Sequence, residues 1–239
     1  MKRNQSAARV TPRGLVKQTL VAAALAAALP LVVAPIVAQA QAKPAATAKA
    51  APATATQGSP SQLVLANSTR IVNTLEKRRA EFKANPATLD KFISTEFNTM
   101  FDRDYAARLV LGRHGRGASD ADVKLFADAL ADSLMSRYGS ALINFDTGLK
   151  VRVKSETPLR GGAIVKVSSE FQRAGGQVTP VDYLMHRTGA NWQVFDVMVE
   201  GVSFVQTFRN QFDAPLQAKS IRQVASDLRA GKLQADAKQ

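Results

Sequence analysis

The chain has 239 residues, 32 Lys and Arg against 19 Asp and Glu, a net charge of +13 and no cysteine. That length suits one domain plus extensions, and the missing thiols exclude disulfides, thiolate nucleophiles and cysteine-held metals. The charge is unevenly placed: residues 1–58 hold seven bases (Lys2, Arg3, Arg9, Arg13, Lys17, Lys43, Lys49) and no acid, which leaves about +6 on the rest. Those remaining bases are dispersed, KRR at residues 77–79 being the longest run, without the basic stripe and aromatic platforms of a nucleic-acid binder.

The basic start MKRNQSAARVTPRGLVKQ precedes an apolar run, TLVAAALAAALPLVVAPIVAQA, and Ala38-Gln39-Ala40 fits the small-x-small site of a secretory signal. The run approaches the roughly 20 residues that span a bilayer, but Pro30, Pro35, the alanine content and the AQA site favour cleavage over anchoring. Residues 1–40 are therefore expected to be a cleaved signal peptide, with a soluble exported product beginning at Gln41. Residues 41–59 hold almost no large apolar side chains and cannot repay an ordering entropy. They are expected to form a disordered Ala/Pro-rich linker, followed by a folded domain at 60–233 and a flexible tail at 234–239.

From Ser61 a helical stripe runs through Val64, Ser68, Ile71, Val72, Leu75 and Phe82 to a stop at Asn85-Pro86. A second helix is expected over residues 89–100, with Leu89, Phe92, Ile93 and Phe97 inward. FDRDYAARLVLG predicts a third, capped by Asp102 and stopped by Gly112. Ser119 and Asp122 resemble a capping box opening a long helix whose stripe is Phe126, Leu130, Leu134, Tyr138 and Leu142. The period then changes to two. LKVRVKS alternates cleanly, and AIVKVSSEF, VDYLMHR and WQVFDVMV follow, joined by the glycine-bearing turns RGG, RAGGQ and RTGAN. Three such turns predict a four-stranded antiparallel meander. Its last strand should be apolar on both faces, with Trp192, Val194 and Met198 on one and Phe195, Val197 and Val199 on the other. A helix over residues 203–212 carries Val205, Phe208 and Phe212 on a stripe and folds back on that strand, and a short helix ends at Gly231. Helices followed by a meander make an α+β domain with helices on one sheet face.

No catalytic set emerges. His114 and His186 lie in different segments without metal-ligand spacing, and His186, at a strand end, reads as a surface residue. Asp196 is the one carboxylate inside an apolar strand. It is either a buried acid with a raised pKa or a hydrogen-bond acceptor near a turn or helix end. Glu200-Gly201 reads as a strand-to-helix joint. P-loop, GxSxG, HExxH and dinucleotide fingerprints are all missing. An exported domain this apolar, without reactive groups, holds either a cavity for an apolar ligand or an ordinary filled core.

Residues 100–112 (MFDRDYAARLVLG), the long helix ending at Tyr138, and residues 181–212 (VDYLMHRTGANWQVFDVMVEGVSFVQTFRNQF) resemble the MlaC family, also called the toluene-tolerance or ABC-transporter auxiliary family. The similarity extends over residues 63–233, and W-x-V followed by D-V-x-x-E-G-V-S is its most specific part. The resemblance implies an NTF2-like fold, helices packed on a four-stranded antiparallel sheet enclosing a hydrophobic lipid pocket. It further implies a periplasmic phospholipid carrier that is not an enzyme and needs no cofactor. Its partners would be an outer-membrane lipoprotein–porin complex and an inner-membrane MCE-protein ABC transporter complex, its role the maintenance of outer-membrane lipid asymmetry, and its state monomeric. One departure stands out: after Leu111-Gly112 the family commonly has an aromatic residue, often Trp, where this chain reads RHGRG with Gly115 near that place.

On that reading the residues expected to touch acyl chains are Leu109, Leu134, Tyr138, Val151, Val153, Val165, Val167, Tyr183, Met185, Val194, Met198, Val202 and Val205. Docking would use Arg108, Arg113 and Arg116. The alternative of a different class is an enzyme of the ketosteroid-isomerase type, with Tyr183 or Tyr138 as oxyanion donor and Asp196 as base.

Overall fold

The computed structural model describes residues 58–139 and 148–237. The expected signal peptide, all but the end of the expected linker, and Leu142 lie outside them. Helix α1 (Pro60–Lys77) opens on a reciprocal capping box: Ser59 Oγ accepts from Gln62 N, Gln62 Oε1 accepts from Ser59 N, and Pro60 takes the first helical position. Ordered structure thus reaches into the expected linker. The stripe Val64, Ser68, Val72, Leu75 is buried as its spacing predicts. The helix does not continue to Asn85, however, because Arg78 leaves helical geometry and a separate short helix, α2 (Arg79–Ala84), re-aims Phe82. Helix α3 (Pro86–Met100) follows. Asp102 caps α4 (Arg103–Leu111), which ends at Gly112 with φ +54°, a conformation glycine adopts without strain. A 3-10 turn (Gly112–Gly115) leads to α5 (Asp120–Tyr138), capped by Ser119.

The sheet is antiparallel in the order β1 (Lys150–Leu159), β2 (Ile164–Gln172), β3 (Val178–Thr188), β4 (Asn191–Val199), β5 (Val202–Ser203). Five strands replace the expected four. The extra one exists because Glu200 and Gly201, at φ +52° and +84°, make a two-residue turn that lays Val202 and Ser203 back along β4 before α6 (Phe204–Ala218) begins. Helix α7 (Ile221–Arg229) completes the order.

One correction matters for the site. Strand β4 does not alternate through its length: Leu184 pairs with Asp196 but Met185 pairs with Val194, so Phe195 is the extra residue of a β-bulge. The bulge flips the phase. Val194, Val197 and Val199 share the inner face with Trp192, while Met198 moves to the outer face with Asp196.

Three apolar clusters result. The inner sheet face packs against Val64 of α1. The end of α1, with α2 and α3, packs Val72, Leu75, Phe82 and Leu89 against Leu149, Val151 and Phe171. Helices α4 to α7 form a third cluster around Phe126, Phe208 and Phe212, with Phe126 and Phe212 edge-on at 5.6 Å. The outer face of β1 to β3 is wet, laced by Lys154–Glu170 and Lys166–Asp182 at 3.2 and 3.6 Å.

The expected flexible tail is fastened as far as residue 237. Ala235 is fully buried, Tyr138 donates to Asp236 at 2.9 Å, Arg137 pairs with Asp236 at 2.7 Å, and Gln211 and Ser133 hold the backbone of residues 234–236. Local pattern does not reveal this, because QADA has no large apolar side chain to anchor it and its partners lie far away in the chain. Deleting residues 232–239 should therefore lower unfolding stability by about 1–3 kcal/mol in a urea titration; an unchanged midpoint would show that the strap contributes nothing.

Candidate functional site

The site is built from two layers. Strands β2, β3 and β4 present Val165, Val167, Ser169 and Phe171, then Thr179, Val181, Tyr183 and Met185, then Val194, Val197 and Val199, to one face. None of these eleven is charged, and every second residue of β3 from Thr179 to Met185 is buried. Helix α1 lies over the β1–β2 side of this face, bringing Val64 and Ser68 down onto it. Its ends are held by carboxylates: Glu156 accepts from Ser61 N at 2.9 Å near the start, and Glu76 accepts from Gly148 N at 2.6 Å near the end. Arg70 pairs with the buried Glu96 of α3. Between those anchors the contact is apolar, apart from Ser68 Oγ and Tyr183 OH at 3.4 Å. Burial pushes the Tyr183 hydroxyl pKa up, so it stays neutral.

Of the thirteen residues expected at acyl chains, six come together here, Val153, Val165, Val167, Tyr183, Met185 and Val194, and Val151 packs in the neighbouring cluster at the end of α1. Three belong to the helical cluster instead. Leu134 and Val205 pack on its core, and Tyr138 is tied to Asp236. Leu109 uses its carbonyl to accept from Arg209 Nε at 2.7 Å. Met198 faces the other side of the sheet, and Val202 is exposed in β5. Sequence reading passed over Thr179 and Ser169, because hydroxyl residues in a strand look like solvent positions. Their alternation with Val181, Tyr183 and Met185 was the available signal.

The isolated carboxylate Asp196 has the hydrogen-bonding role. On the outer face its Oδ2 accepts from Ser203 Oγ at 2.6 Å and its Oδ1 from Val205 N at 3.0 Å, so it locks β4 to the first turn of α6. Burial still raises its pKa above the ordinary carboxylate range, the hydrogen bonds offsetting only part of the desolvation. Tyr183 lies on the opposite face and Tyr138 in the helical cluster. The donor and base of the isomerase alternative therefore do not share a cavity.

His186 is not the surface residue expected. It stacks on Tyr105 at 4.3 Å, meets Phe195 edge-on at 5.5 Å, and its Nε2 lies 3.0 Å from Asp102 Oδ2, fastening β3 to the cap of α4. His114 and Arg113 both reach Asp213, at 2.9 Å each, and the His114 contact is the main reason that carboxyl sits below its ordinary range. Among the described residues no group of three His, Asp or Glu forms a metal site, and no helix is long and apolar enough to cross a membrane.

In the expected docking group, Arg108 pairs with Asp120 and Arg113 with Asp213, so only Arg116 lacks an acidic partner among the described residues. At Gly115, a Cβ would lie 3.0 Å from Leu111 Cβ. The 3-10 turn is thus closed tightly over α4.

Replacing Asp196 by Ala should cost about 2 kcal/mol by removing a buried cap, without changing the inner face. The pH dependence follows from linkage. With its folded pKa raised, Asp196 contributes stability that is full below the unfolded value of about 3.9 and is lost as pH rises through the folded pKa. The stability gap between wild type and Asp196→Asn should therefore narrow with rising pH across that window. A gap that widens would mean that the hydrogen bonds outweigh desolvation.

Both the sequence and the fold have known relatives. The sequence model described as MlaC protein matches residues 66–230. The toluene tolerance protein Ttg2D of Pseudomonas putida is 25% identical over 162 residues, covering 66% of this chain and 74% of that protein. A phospholipid-binding protein from Ralstonia solanacearum, solved in complex with a phospholipid, superposes with a TM-score of 0.57 at 19% identity, covering 70% of this chain and 97% of the other. That last likeness shows the α+β fold. With more than half its length matched, the chain belongs to the MlaC protein family.

Proposed function

We propose that this protein is a non-enzymatic periplasmic phospholipid carrier. It takes up glycerophospholipid between α1 and the inner sheet face and shuttles it between an outer-membrane lipoprotein–porin complex and an inner-membrane MCE-protein ABC transporter, maintaining outer-membrane lipid asymmetry. The observation that carries the reading is the apolar seam itself: a helix held at its ends, at one of them by Glu156 of β1, lies over an inner face to which β2, β3 and β4 bring no charge. The family membership and a structural neighbour described as holding a phospholipid support it.

The energetics suit a carrier. Two acyl chains bring about 30 methylenes at roughly 0.8 kcal/mol each, about 24 kcal/mol of gross transfer from water. No aqueous route supplies that without an apolar compartment. Bilayer and pocket offer similar surroundings, so net transfer is close to balanced and the lipid can be both loaded and released.

Brief encounters with two membrane complexes favour electrostatic steering over a large interface. With Arg108 and Arg113 engaged by acids, Arg116 is the cation of that group left to face a partner.

Purified wild type should carry phospholipid in native mass spectra. Val167 is fully buried on the inner face, and a carboxylate there is costly beside hydrocarbon; Val167→Glu should lose bound lipid while keeping near-native circular dichroism. Retained lipid would move the site elsewhere, and unfolding would mark the position as filled core. Arg116→Glu should slow association with the MCE-protein partner and weaken its salt dependence with bound lipid unchanged. Equal rates at all ionic strengths would remove Arg116 from the docking surface.

A further inference from the structure

The inner face is not uniformly apolar. Thr179 is wholly buried on it, opposite Phe171 and two residues from Val181, and its Oγ1 has no hydrogen-bond partner among the described residues. A buried hydroxyl without a partner is rare in a native protein and calls for a cause, such as a ligand or a bound water. The neighbouring Ser169 is different, because its hydroxyl donates to Val181 O at 2.9 Å. Deeper along the face Ser68 and Tyr183 hydroxyls share one contact of 3.4 Å, longer than the roughly 2.7 Å of a good O–H···O bond. The seam therefore has the make-up of a ligand pocket, predominantly apolar with a few convergent polar groups that fix orientation.

The chemistry narrows what Thr179 can receive. A hydroxyl donor without a neighbouring charge suits a neutral acceptor. Its face neighbours Phe171, Val181 and Ser169 are uncharged, and the nearest cation along β2, Arg173, lies past Phe171 at the turn, on the side away from the chains. A group attached to long apolar chains, neutral and rich in acceptor lone pairs, is an ester carbonyl.

We propose that Thr179 donates its hydroxyl hydrogen to an ester carbonyl of the bound diacyl lipid, so that the protein reads the ester linkage and sets the depth of its cargo. This rests on the carrier reading above. Thr179 is the second residue of β3, next to the turn that joins β2 to β3. The glycerol esters then lie at that end of the seam, and the chains run along β3 toward Met185 and Val194. The headgroup lies beyond Thr179, outside the uncharged stretch.

The test is a competition. The purified protein is incubated with equal amounts of dipalmitoyl phosphatidylglycerol and its di-O-hexadecyl ether analogue, and the two complexes are quantified by native mass spectrometry. The chains and headgroup are the same, and only the carbonyls differ. Wild type should prefer the diester by roughly tenfold, the size expected when a buried donor loses its acceptor. Thr179→Val, close to the same shape, should bind both equally, and Thr179→Ser should keep the preference. Equal binding of the two lipids by wild type would overturn the proposal alone and leave the carrier reading standing, with a water on Thr179. A preference that survives in Thr179→Val would also overturn it, placing ester recognition on another residue. Binding of neither lipid by wild type would sink the carrier reading and this proposal together.

Discussion

The packing of α1 against the inner sheet face is the contact on which the rest of the structure depends. It joins an amphipathic helix to the sheet, chiefly at β1 and β2, through aliphatic side chains, and dispersion and burial act there without direction. Directional bonds to the sheet side sit at the ends, where Glu156 and Glu76 hold backbone amides, while Arg70 midway along ties α1 to Glu96 of α3. This division has a physical consequence. Between those end bonds the apolar contact can be exchanged for contact with hydrocarbon at little net cost, because it leaves no charge and no broken hydrogen-bond ladder behind. A seam held by buried ion pairs would resist parting, since separating such pairs in low dielectric is expensive.

The other half of the molecule is built to hold still. Helices α4 to α7 close around Phe126, Phe208 and Phe212, and polar clamps tie them to the sheet: Asp196 to the first turn of α6, and His186 to the cap of α4. The tail adds a strap across α5 and α6 through Asp236 and Gln211. These contacts are specific hydrogen bonds between elements distant in sequence; the seam has such bonds at its two ends and the long Ser68–Tyr183 contact, and is aliphatic between them. The proposed division of labour is a fixed helical platform carrying the sheet and a helix lying over it through apolar contact.

Much of this was legible from residue patterns. The period of α1, the caps at Asp102 and Ser119, the stop at Gly112 and the meander all followed from local chemistry, which acts over a few residues. The misses arose where one extra residue or a distant partner decided the outcome. The bulge at Phe195 is a single insertion in the register of β4, invisible until Leu184 and Met185 are seen to pair with Asp196 and Val194, and it sent Met198 to the wrong face. Val205 and Leu134 have the periodicity of the seam residues but belong to the helical cluster, because periodicity gives a face and not the layer it meets. His186 reads as a surface residue and the tail as flexible because their partners, Asp102 and Tyr138, lie about 80 to 100 residues away. Thr179 was missed because composition treats a hydroxyl as polar wherever it falls.

The central claim is that α1 and the inner face part to admit the lipid, and a distance across the seam tests it most directly. The chain has no cysteine, so Thr69→Cys on the exposed side of α1 and Arg152→Cys on the outer face of β1 give a unique pair of spin-label sites. Pulsed electron–electron resonance on delipidated and phospholipid-loaded protein should show the label distance growing by several ångströms on loading, with both labels remaining on folded protein. An unchanged distance in protein shown by mass to hold its lipid would contradict the account and place the cargo outside this seam.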